Sequence, residues 1–332
     1  MKDQHTIYDV AKLSGLSIST VSRVLNSPDH VSEATRDKVL VAIQQLDFVP
    51  KAEARARAMK STHRIGVITP FFAAPSFIER LYGIASFLTG KPYELVIYTV
   101  DSANRFESYL ANLPINRNLD GLIIMSLPLG EQEAARLAEQ RLETVLIEYP
   151  IPAFSSIEID DVEGGRIAAE YLLRKGHSRL AFLGDTNLAE QAIHPVSRRL
   201  VGFRQTLAGA GIPLTNEYVR LAPYTQEQTR LAARELLNLH EPPTAIFAAT
   251  DFQAFGVLKI ARAMGIRIPD DLAVIGFDDL EMAEIMDLTT IRQHLDESGR
   301  IATELLLSRI NDPVRPVQHI QIPLNIVERE TA

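Results

Sequence analysis

From residue 64 onward, short apolar runs alternate with helical patterns that are apolar on one face, and this alternation constrains the fold more than any other sequence feature. Nearly continuous apolar strands joined by helices are typical of parallel sheets covered on both faces. This part of the chain is longer than one such sheet needs, so we expect an α/β domain of two similar lobes, each a doubly wound parallel sheet. The predicted strands are RIGVIT (64–69), ELVIYT (94–99), GLIIMS (121–126), TVLIEY (144–149), RLAFLG (179–184), TAIFAAT (244–250) and LAVIGFDD (272–279).

Polar side chains follow several of these strands, at the edge where open α/β sheets bind their ligands. Carboxylates there accept hydrogen bonds from sugar hydroxyls, and an arginine opposes them as a donor. An acid in this position has the alternative role of N-cap for the next helix, which we expect for all of these acids except Asp278. The candidates are Arg199 and three pairs: Asp160 with Asp161, Thr250 with Asp251, and Asp278 with Asp279.

Three short helical patterns precede this region and can enclose only a small all-α core. A further segment, FVPKAEARARAMKSTH (48–63), has helix propensity but almost no apolar stripe, which predicts a linker that becomes helical only when something holds it. The first helix is marked by Ile7, Val10, Ala11 and Leu13 and ends at Gly15. The second is predicted to place Val21, Val24 and Leu25 inward, and the third carries Val39, Ile43 and Leu46 on one face.

The first two helices are spaced around Gly15 like a helix-turn-helix, whose second helix enters the DNA major groove. Arginine bridges guanine O6 and N7, serine bonds several bases, and isoleucine contacts a thymine methyl. For Ser19 and Ser22 the alternative is an ordinary solvated helix face. The predicted base contacts are Ile18, Ser19, Ser22 and Arg23, and the predicted phosphate donors are Thr6, Ser17, Thr20, Asn26 and Ser32.

The charge of the chain is unevenly distributed. The formal net charge is −8, but residues 1–64 hold ten Lys or Arg against seven Asp or Glu, a net of +3, which leaves −11 for the rest. Screening limits the reach of the acidic part to roughly 10 Å at ordinary salt. The charge of the N-terminal segment therefore permits a nucleic-acid partner without requiring one.

Composition excludes several other classes of protein. There is no cysteine, which excludes a disulfide framework, and no apolar run long enough for a membrane span or a signal peptide. We therefore expect a cytoplasmic protein without a membrane partner. No G-x-G-x-x-G follows a strand, and neither a P-loop nor metal-ligand spacing of His is present. We accordingly expect no enzyme activity, catalytic residue, metal or cofactor.

The segment TIYDVAKLSGLSISTVSRVLNSPDHVSEATRDKVLVAIQQLDFVP resembles the N-terminal domain of the lactose repressor and galactose repressor (LacI/GalR) family. The segments RRLVGFRQTLAGAGI, PTAIFAATDFQAFGVLKIARAMGIRIP and DLAVIGFDDLEMAEIMDLTTIRQ are similar to its effector-binding part. The resemblance implies a DNA-binding domain at 1–48, a hinge helix at 49–62 and a periplasmic-binding-protein-like effector and dimerisation domain at 63–332. The N-lobe would comprise about 63–160 and 292–322, and the C-lobe about 161–291 and 323–332.

The resemblance also implies a repressor that binds a pseudo-palindromic double-stranded DNA operator as a homodimer. The paired linker helices of the family press an apolar side chain into the minor groove and bend the DNA. The family usually has Leu seven residues after the proline, whereas this chain has Arg57. Either Arg57 enters a narrow minor groove as a cation or Met59 takes the wedge position; the predicted hinge residues are Ala54, Arg57 and Met59.

For the effector, the resemblance implies a small molecule, a sugar or sugar derivative, bound between the lobes and controlling DNA binding. Arg199 matches the family's effector-binding arginine and Asp278 its first turn acid, while Thr250 replaces Asn. A purine-like ligand or a protein partner is the alternative, and a transport solute-binding protein would lack the helix-turn-helix. The predicted effector-binding residues are Phe72, Arg199, Tyr224, Thr250, Asp278 and Gln293.

Overall fold

The computed structural model describes residues 5–26, 31–46, 48, 61–70, 73–186 and 193–332. The chain divides into two compact units, residues 1–64 with 116–120 and residues 65–115 with 121–332. The predicted linker (48–63) lies outside the described residues except for Phe48 and residues 61–63. Its candidate hinge residues Ala54, Arg57 and Met59 are therefore untested and stay predictions.

In the smaller unit, α1 (Ile7–Ser14), α2 (Ile18–Asn26) and α3 (Glu33–Gln45) enclose a core in which Val10, Val21 and Val39 are fully buried. Helix α1 ends at Gly15, whose φ of 67° lies in the left-handed region that glycine adopts without strain. Leu13 is 49% exposed, because the buried face of α1 passes through Val10 and Ala11 and leaves Leu13 to one side.

The last residues of the predicted linker are held by hydrogen bonds to one carboxylate of the same unit. Asp120 accepts hydrogen bonds from the Thr62 backbone nitrogen (2.6 Å), the Thr62 hydroxyl (2.9 Å) and the His63 backbone nitrogen (2.9 Å), and a further one from the Ser61 hydroxyl. Hydrogen bonds to a charged acceptor are among the stronger ones. Residues 61–63 are thereby held to the loop that ends at Asp120.

The larger unit contains two sheets, each of six strands within the described residues. The first has the order β11-β5-β4-β3-β1-β2 and the second β12-β10-β9-β8-β6-β7. The strands are β1 Arg64–Thr69, β2 Glu94–Thr99, β3 Gly121–Met125, β4 Glu143–Ile147, β5 Ser155–Glu158, β6 Leu180–Asp185, β7 Val219–Ala222, β8 Ala245–Ala248, β9 Ala273–Asp278, β10 Thr289–Arg292, β11 His319–Gln321 and β12 Asn325–Val327.

Helices join these strands, and buried apolar residues fill the space between helices and sheets. Within the described residues the chain passes between the sheets three times: before α7, between β10 and α12, and between β11 and β12. The helices are α4 Pro75–Leu88, α5 Ala103–Asn116, α6 Glu131–Glu139, α7 Asp161–Arg174, α8 Pro195–Gly209, α9 Gln226–Leu237, α10 Asp251–Ala263, α11 Glu281–Ile285 and α12 Leu295–Asn311.

The predicted fold class, a helix-turn-helix head followed by two α/β lobes, is confirmed, but details of the sheets differ from prediction. Strand β12 pairs antiparallel with β10, and the sequence patterns missed the short strands β5, β7, β10, β11 and β12. Four predicted strands also run past the observed ends, which lie at Met125, Ile147, Ala248 and Asp278. The first two end there because the next residues, Ser126 and Glu148, have φ of 53° and 73°.

Candidate functional site

A cavity of about 450 Å³ lies where strand ends of the two sheets face each other in the larger unit. Ser126 and Glu148 come from the first sheet, and Asp185 and Asp278 from the ends of β6 and β9. Five of the six predicted effector-binding residues line it, and the sixth, Phe72, lies outside the described residues. The five are Arg199, Tyr224, Thr250, Asp278 and Gln293.

Arg199 is a buried cation with its own counter-charge. Its Nε donates to Asp161 Oδ1 at 2.9 Å, its Nη1 donates to the Ala249 carbonyl at 2.6 Å, and its guanidinium lies 3.5 Å from the Phe277 ring centre. Burial raises the pKa of the Asp161 carboxyl, and the charge of Arg199 opposes that rise. Asp161 thus belongs to a buried ion pair, and the prediction that it is an N-cap is wrong; Asp160 caps α7 instead.

Backbone contact between α7 and α8 places this pair. A Cβ added to Gly165 would lie 1.9 Å from the Arg199 carbonyl oxygen, and one added to Gly202 would lie 1.9 Å from the Val162 carbonyl oxygen. Only glycine permits helices to approach this closely. The approach brings the first turn of α7, with Asp161, against the side of α8 that carries Arg199.

The first lobe repeats this arrangement. Arg80 on α4 is 2% exposed and pairs with Glu148, and its carbonyl oxygen would lie 2.1 Å from a Cβ on Gly299 of α12. Gly83 stands three residues after Arg80, as Gly202 stands three residues after Arg199. Each lobe therefore presents one buried arginine, held by a carboxylate and by glycine-mediated helix contact, to the cavity.

A chain of hydrogen bonds crosses the cavity wall from one sheet to the other. The Ser126 hydroxyl donates to Glu148, which also accepts from Arg80. Arg80 Nη2 donates to Gln293 Oε1 at 3.3 Å, and Gln293 Nε2 donates to Asp278 Oδ1 at 2.5 Å. Three of the acceptor and donor residues have positive φ: Ser126 (53°), Glu148 (73°) and Asp278 (125°). Strained backbone of this kind concentrates at functional sites.

The remaining predicted effector residues have mixed roles. The Tyr224 ring stacks on Phe252 with centroids 4.7 Å apart, and burial raises the pKa of its hydroxyl. Thr250 lines the cavity but also caps α10, because its hydroxyl accepts from the Gln253 backbone nitrogen at 3.2 Å.

The capping role predicted for Asp251 is therefore wrong. Its buried carboxylate accepts from the Leu280 nitrogen and the Thr290 hydroxyl, while Asp279 binds Arg292 and Arg329 rather than capping a helix.

Sequence reasoning missed three groups around this cavity, namely Glu148, Asp185 and Arg80. Glu148 and Asp185 each follow an apolar run directly, which is the signal used for the other strand-end acids. Arg80 stands among Phe77, Leu81 and Ile84 on the inward face of α4, and a cation in such a stripe is itself a signal. Asp161 was among the candidates, but its position in the sequence does not distinguish an ion-pair partner from a helix cap.

We expect the stability of the protein to fall as pH rises from about 4 to about 7, in part because of Asp278. Burial raises the pKa of Asp278 to about 7 from its ordinary 3.8. In this window the folded state binds the proton that the unfolded state has lost, so rising pH favours unfolding. In Asp278→Asn the slope of unfolding free energy against pH should be less negative by at most about 1.4 kcal/mol per pH unit.

Urea unfolding at pH 5, 6 and 7 measures this slope for wild type and variant. Burial also raises the pKa of Asp161, Asp185 and Asp251, so the wild-type slope has several contributions. The charge of Asp278 adds to the rise at Asp251, so the difference between variant and wild type reports Asp278 together with its effect on Asp251. Asp270→Asn, at an exposed position, is the control for loss of one charge. Equal slopes in wild type and Asp278→Asn contradict the prediction.

The helix-turn-helix of the smaller unit leaves a polar face exposed. On α2, Ile18 is 42% exposed, Ser19 and Arg23 are exposed, and Ser22 is half-buried. The Ser17 hydroxyl caps α2 by accepting from the Thr20 backbone nitrogen at 3.1 Å.

The hydroxyls predicted to contact phosphate also have partners inside the unit. Thr6 donates to Asp9 Oδ2 at 2.8 Å, and Ser32 bonds Thr35 at 2.9 Å. Thr20 bonds Ser17 at 2.8 Å, and the Asn26 side chain lies outside the described residues. None of these observations tests a contact with DNA.

Two kinds of site are absent from the described residues. No group of His, Cys, Asp or Glu among them has the arrangement of a metal site. Among the same residues, no helix combines the length and apolar character needed to cross a membrane.

Comparison with known proteins gives matches along nearly the whole chain. Residues 6–51 match the model for bacterial regulatory proteins of the lacI family, and residues 169–332 match the periplasmic binding protein-like domain. Catabolite control protein A of Priestia megaterium is 32% identical over 330 residues, covering 98% of each chain. The ribose operon repressor of Escherichia coli (strain K12) is 32% identical over 334 residues, covering 98% of this chain and 99% of the relative.

Among solved structures, the lac repressor dimer bound to operator and the anti-inducer ONPF matches with a TM-score of 0.78 and 28% identity, covering 99% of each chain. A helix-turn-helix head joined to a two-lobed ligand-binding domain defines a transcription regulator rather than an enzyme, as predicted. The chain belongs to the LacI family of bacterial regulatory proteins.

Proposed function

We propose that this protein is a repressor that binds a pseudo-palindromic operator as a homodimer and is controlled by a sugar in the cavity between its lobes. The observation that carries the proposal is the cavity itself, which is lined by Arg199, Tyr224, Thr250, Asp278 and Gln293. A ligand there acts only through its different affinity for two arrangements of the lobes. The ribose operon repressor, a relative over the whole chain, supports a sugar as the ligand class.

Support for DNA binding comes from the composition of the exposed face of α2. Arg23 and Ser19 are exposed and offer the donors that contact base edges in the major groove, and Ile18 offers an apolar contact for a thymine methyl. Thr6, Ser17, Thr20, Asn26 and Ser32 remain the proposed phosphate contacts. The match of residues 6–51 to the lacI family model supports the same face.

Support for a homodimer comes from exposed apolar side chains on the larger unit. Ile78 and Tyr82 stand one turn apart on α4 and are 50% and 66% exposed, and Met282 and Ile285 on α11 are 48% and 66% exposed. Apolar groups of this size in neighbouring positions are typical of protein interfaces. The solved lac repressor relative is described as a dimer, which supports a second copy of this chain as the partner.

The test is selection of bound sequences from a random DNA pool, followed by affinity measurements with Arg23→Ala. We expect the selected sites to form an inverted repeat. On that repeat, Arg23→Ala should weaken binding by about 1–3 kcal/mol and relax the preference at one base pair of each half-site. Fluorescence anisotropy against a set of single-base variants of the site measures both effects.

Lys12→Ala is the matched control, because it removes one exposed cation from the same unit without touching α2. It should lower affinity for all sequences alike, as loss of a non-specific charge does. If Arg23→Ala also lowers affinity uniformly, Arg23 contacts phosphate and the base contact is wrong. Selection of sites without inverted symmetry contradicts the homodimer.

A further inference from the structure

One carboxylate at the cavity has an oxygen atom without a hydrogen-bond partner among the described residues. Asp185 ends β6 and lines the cavity, and its buried Oδ1 has no hydrogen-bond partner among the described residues. Burial raises the pKa of Asp185, opposed by its own backbone amide, by Arg199 and by His194. An unsatisfied buried acceptor costs free energy in the unliganded protein. A ligand that donates a hydrogen bond recovers this cost.

The cations of the cavity wall, in contrast, are already neutralised. Arg199 pairs with Asp161 and Arg80 pairs with Glu148, so each buried guanidinium has a carboxylate of its own. Asp185 and Asp278 are two further carboxyl groups at the cavity, and neither forms an ion pair with these arginines. Two short stretches adjoin lining residues in the sequence, namely Phe71-Phe72 and 187–192 (NLAEQA). Neither stretch contains Lys or Arg.

This balance distinguishes among small ligands by charge. A phosphorylated sugar or another anion would meet the Asp185 and Asp278 carboxyl groups with both arginines already paired, so no unpaired arginine would compensate its charge. Each carboxyl group repels an anion in its ionised form. An uncharged sugar brings hydroxyl donors for the carboxylates. Its C–H faces pack on the apolar lining, which includes Phe77, Val196 and Leu221.

We propose that Asp185 is a specificity-determining residue that accepts a hydrogen bond from an effector hydroxyl and selects an uncharged, non-phosphorylated sugar. The proposal rests on the proposed function, since it assumes that the effector occupies this cavity. Asp185 is named as an effector-binding residue neither by the sequence resemblance nor by the candidates at strand ends. The proposal also excludes sugar phosphates as the natural effector.

The test uses thermal unfolding and titration calorimetry with matched probes: ribose and ribose 5-phosphate, glucose and glucose 6-phosphate, cellobiose, and hypoxanthine as a purine. A ligand that binds the folded state raises its melting temperature. We expect at least one neutral sugar to stabilise the full-length protein and its phosphorylated counterpart to bind much more weakly. Asp185→Asn should bind that neutral sugar about tenfold or more weakly, because the amide oxygen of Asn is a neutral and weaker acceptor than a carboxylate oxygen.

Two controls separate recognition from folding. Asp270→Asn removes a carboxylate at an exposed position of the same unit and should bind the sugar like wild type. The unliganded Asp185→Asn protein should melt at the wild-type temperature or above, because an amide is less costly to bury than an unpaired carboxylate. A purely structural role for Asp185 predicts a lower melting temperature instead.

The inference is overturned if a phosphorylated sugar binds better than its neutral counterpart, if no neutral sugar of the panel stabilises the protein, or if Asp185→Asn binds like wild type. Operator binding, measured in parallel, keeps the two proposals apart. A wild-type protein that binds an inverted repeat and releases it with a phosphorylated sugar or hypoxanthine upholds the regulator and overturns the role of Asp185. Absence of specific DNA binding overturns the regulator itself.

Discussion

Replacing Arg199 by alanine should abolish the effector response and lower the free energy of unfolding by about 3–5 kcal/mol. The substitution leaves Asp161 buried without its cation and the Ala249 carbonyl without its donor. Breaking a buried pair by removing one partner is costly because the remaining charge is uncompensated. Urea unfolding measures the stability change, and calorimetry with a sugar that stabilises wild type measures the binding.

The double variant Arg199→Ala with Asp161→Ala separates stability from recognition. It removes the stranded carboxylate, so it should recover part of the stability while sugar binding stays lost. A single variant as stable as wild type would show that Asp161 is solvated or protonated at no cost. Normal sugar binding by the folded double variant would remove Arg199 from the effector site.

Replacing Gly202 by alanine should also be strongly destabilising, by about 3 kcal/mol, although it adds only one methyl group. The added Cβ would lie 1.9 Å from the Val162 carbonyl oxygen, so α7 and α8 must move apart. Overpacking of a rigid interface commonly costs about 1–3 kcal/mol, and a clash with backbone belongs at the upper end. Because Asp161 and Arg199 stand on these two helices, we expect effector affinity to fall as well.

Gly209→Ala is the matched control on the same helix. A Cβ at Gly209 meets no atom within 4 Å, and alanine favours the helix, so this variant should be as stable as wild type or slightly more so. Chemical denaturation of the two variants side by side measures the difference. Equal stabilities would show that the helices adapt without strain and that glycine is not required at position 202.

The long strands could be predicted from sequence because they are continuous apolar runs, such as RIGVIT and ELVIYT, whose bounds agree with β1 and β2. The strand ends could not. Ser126 and Glu148 look like continuations of apolar strands, and only the folded turn shows their positive φ. Strands β11 and β12 are three residues long and carry no apolar run, so nothing local marks them.

For the site, the sequence indicated single residues but not their pairing. Arg199 and Asp278 were indicated both by the polar residues at strand ends and by the family resemblance, and both line the cavity. The contacts of Arg80 depend on tertiary packing, because Glu148 is 68 residues away and Gln293 is 213 residues away. No periodicity within one element can reveal partners at that separation, nor can it tell that Asp161 faces Arg199 rather than its own helix end.

Because each lobe holds one buried arginine at the cavity, the size of a bound ligand determines the distance between the lobes. Arg80 and Arg199 are each tied to their own lobe by a carboxylate and by glycine contacts between helices, so neither adjusts independently to a ligand. Among the described residues, the link from Arg80 through Gln293 to Asp278 spans the gap between the lobes, and so does the hydrogen bond from the Ile193 backbone nitrogen to the Ser126 carbonyl oxygen (3.1 Å). A ligand that bridges two such fixed points sets their separation by its own dimensions.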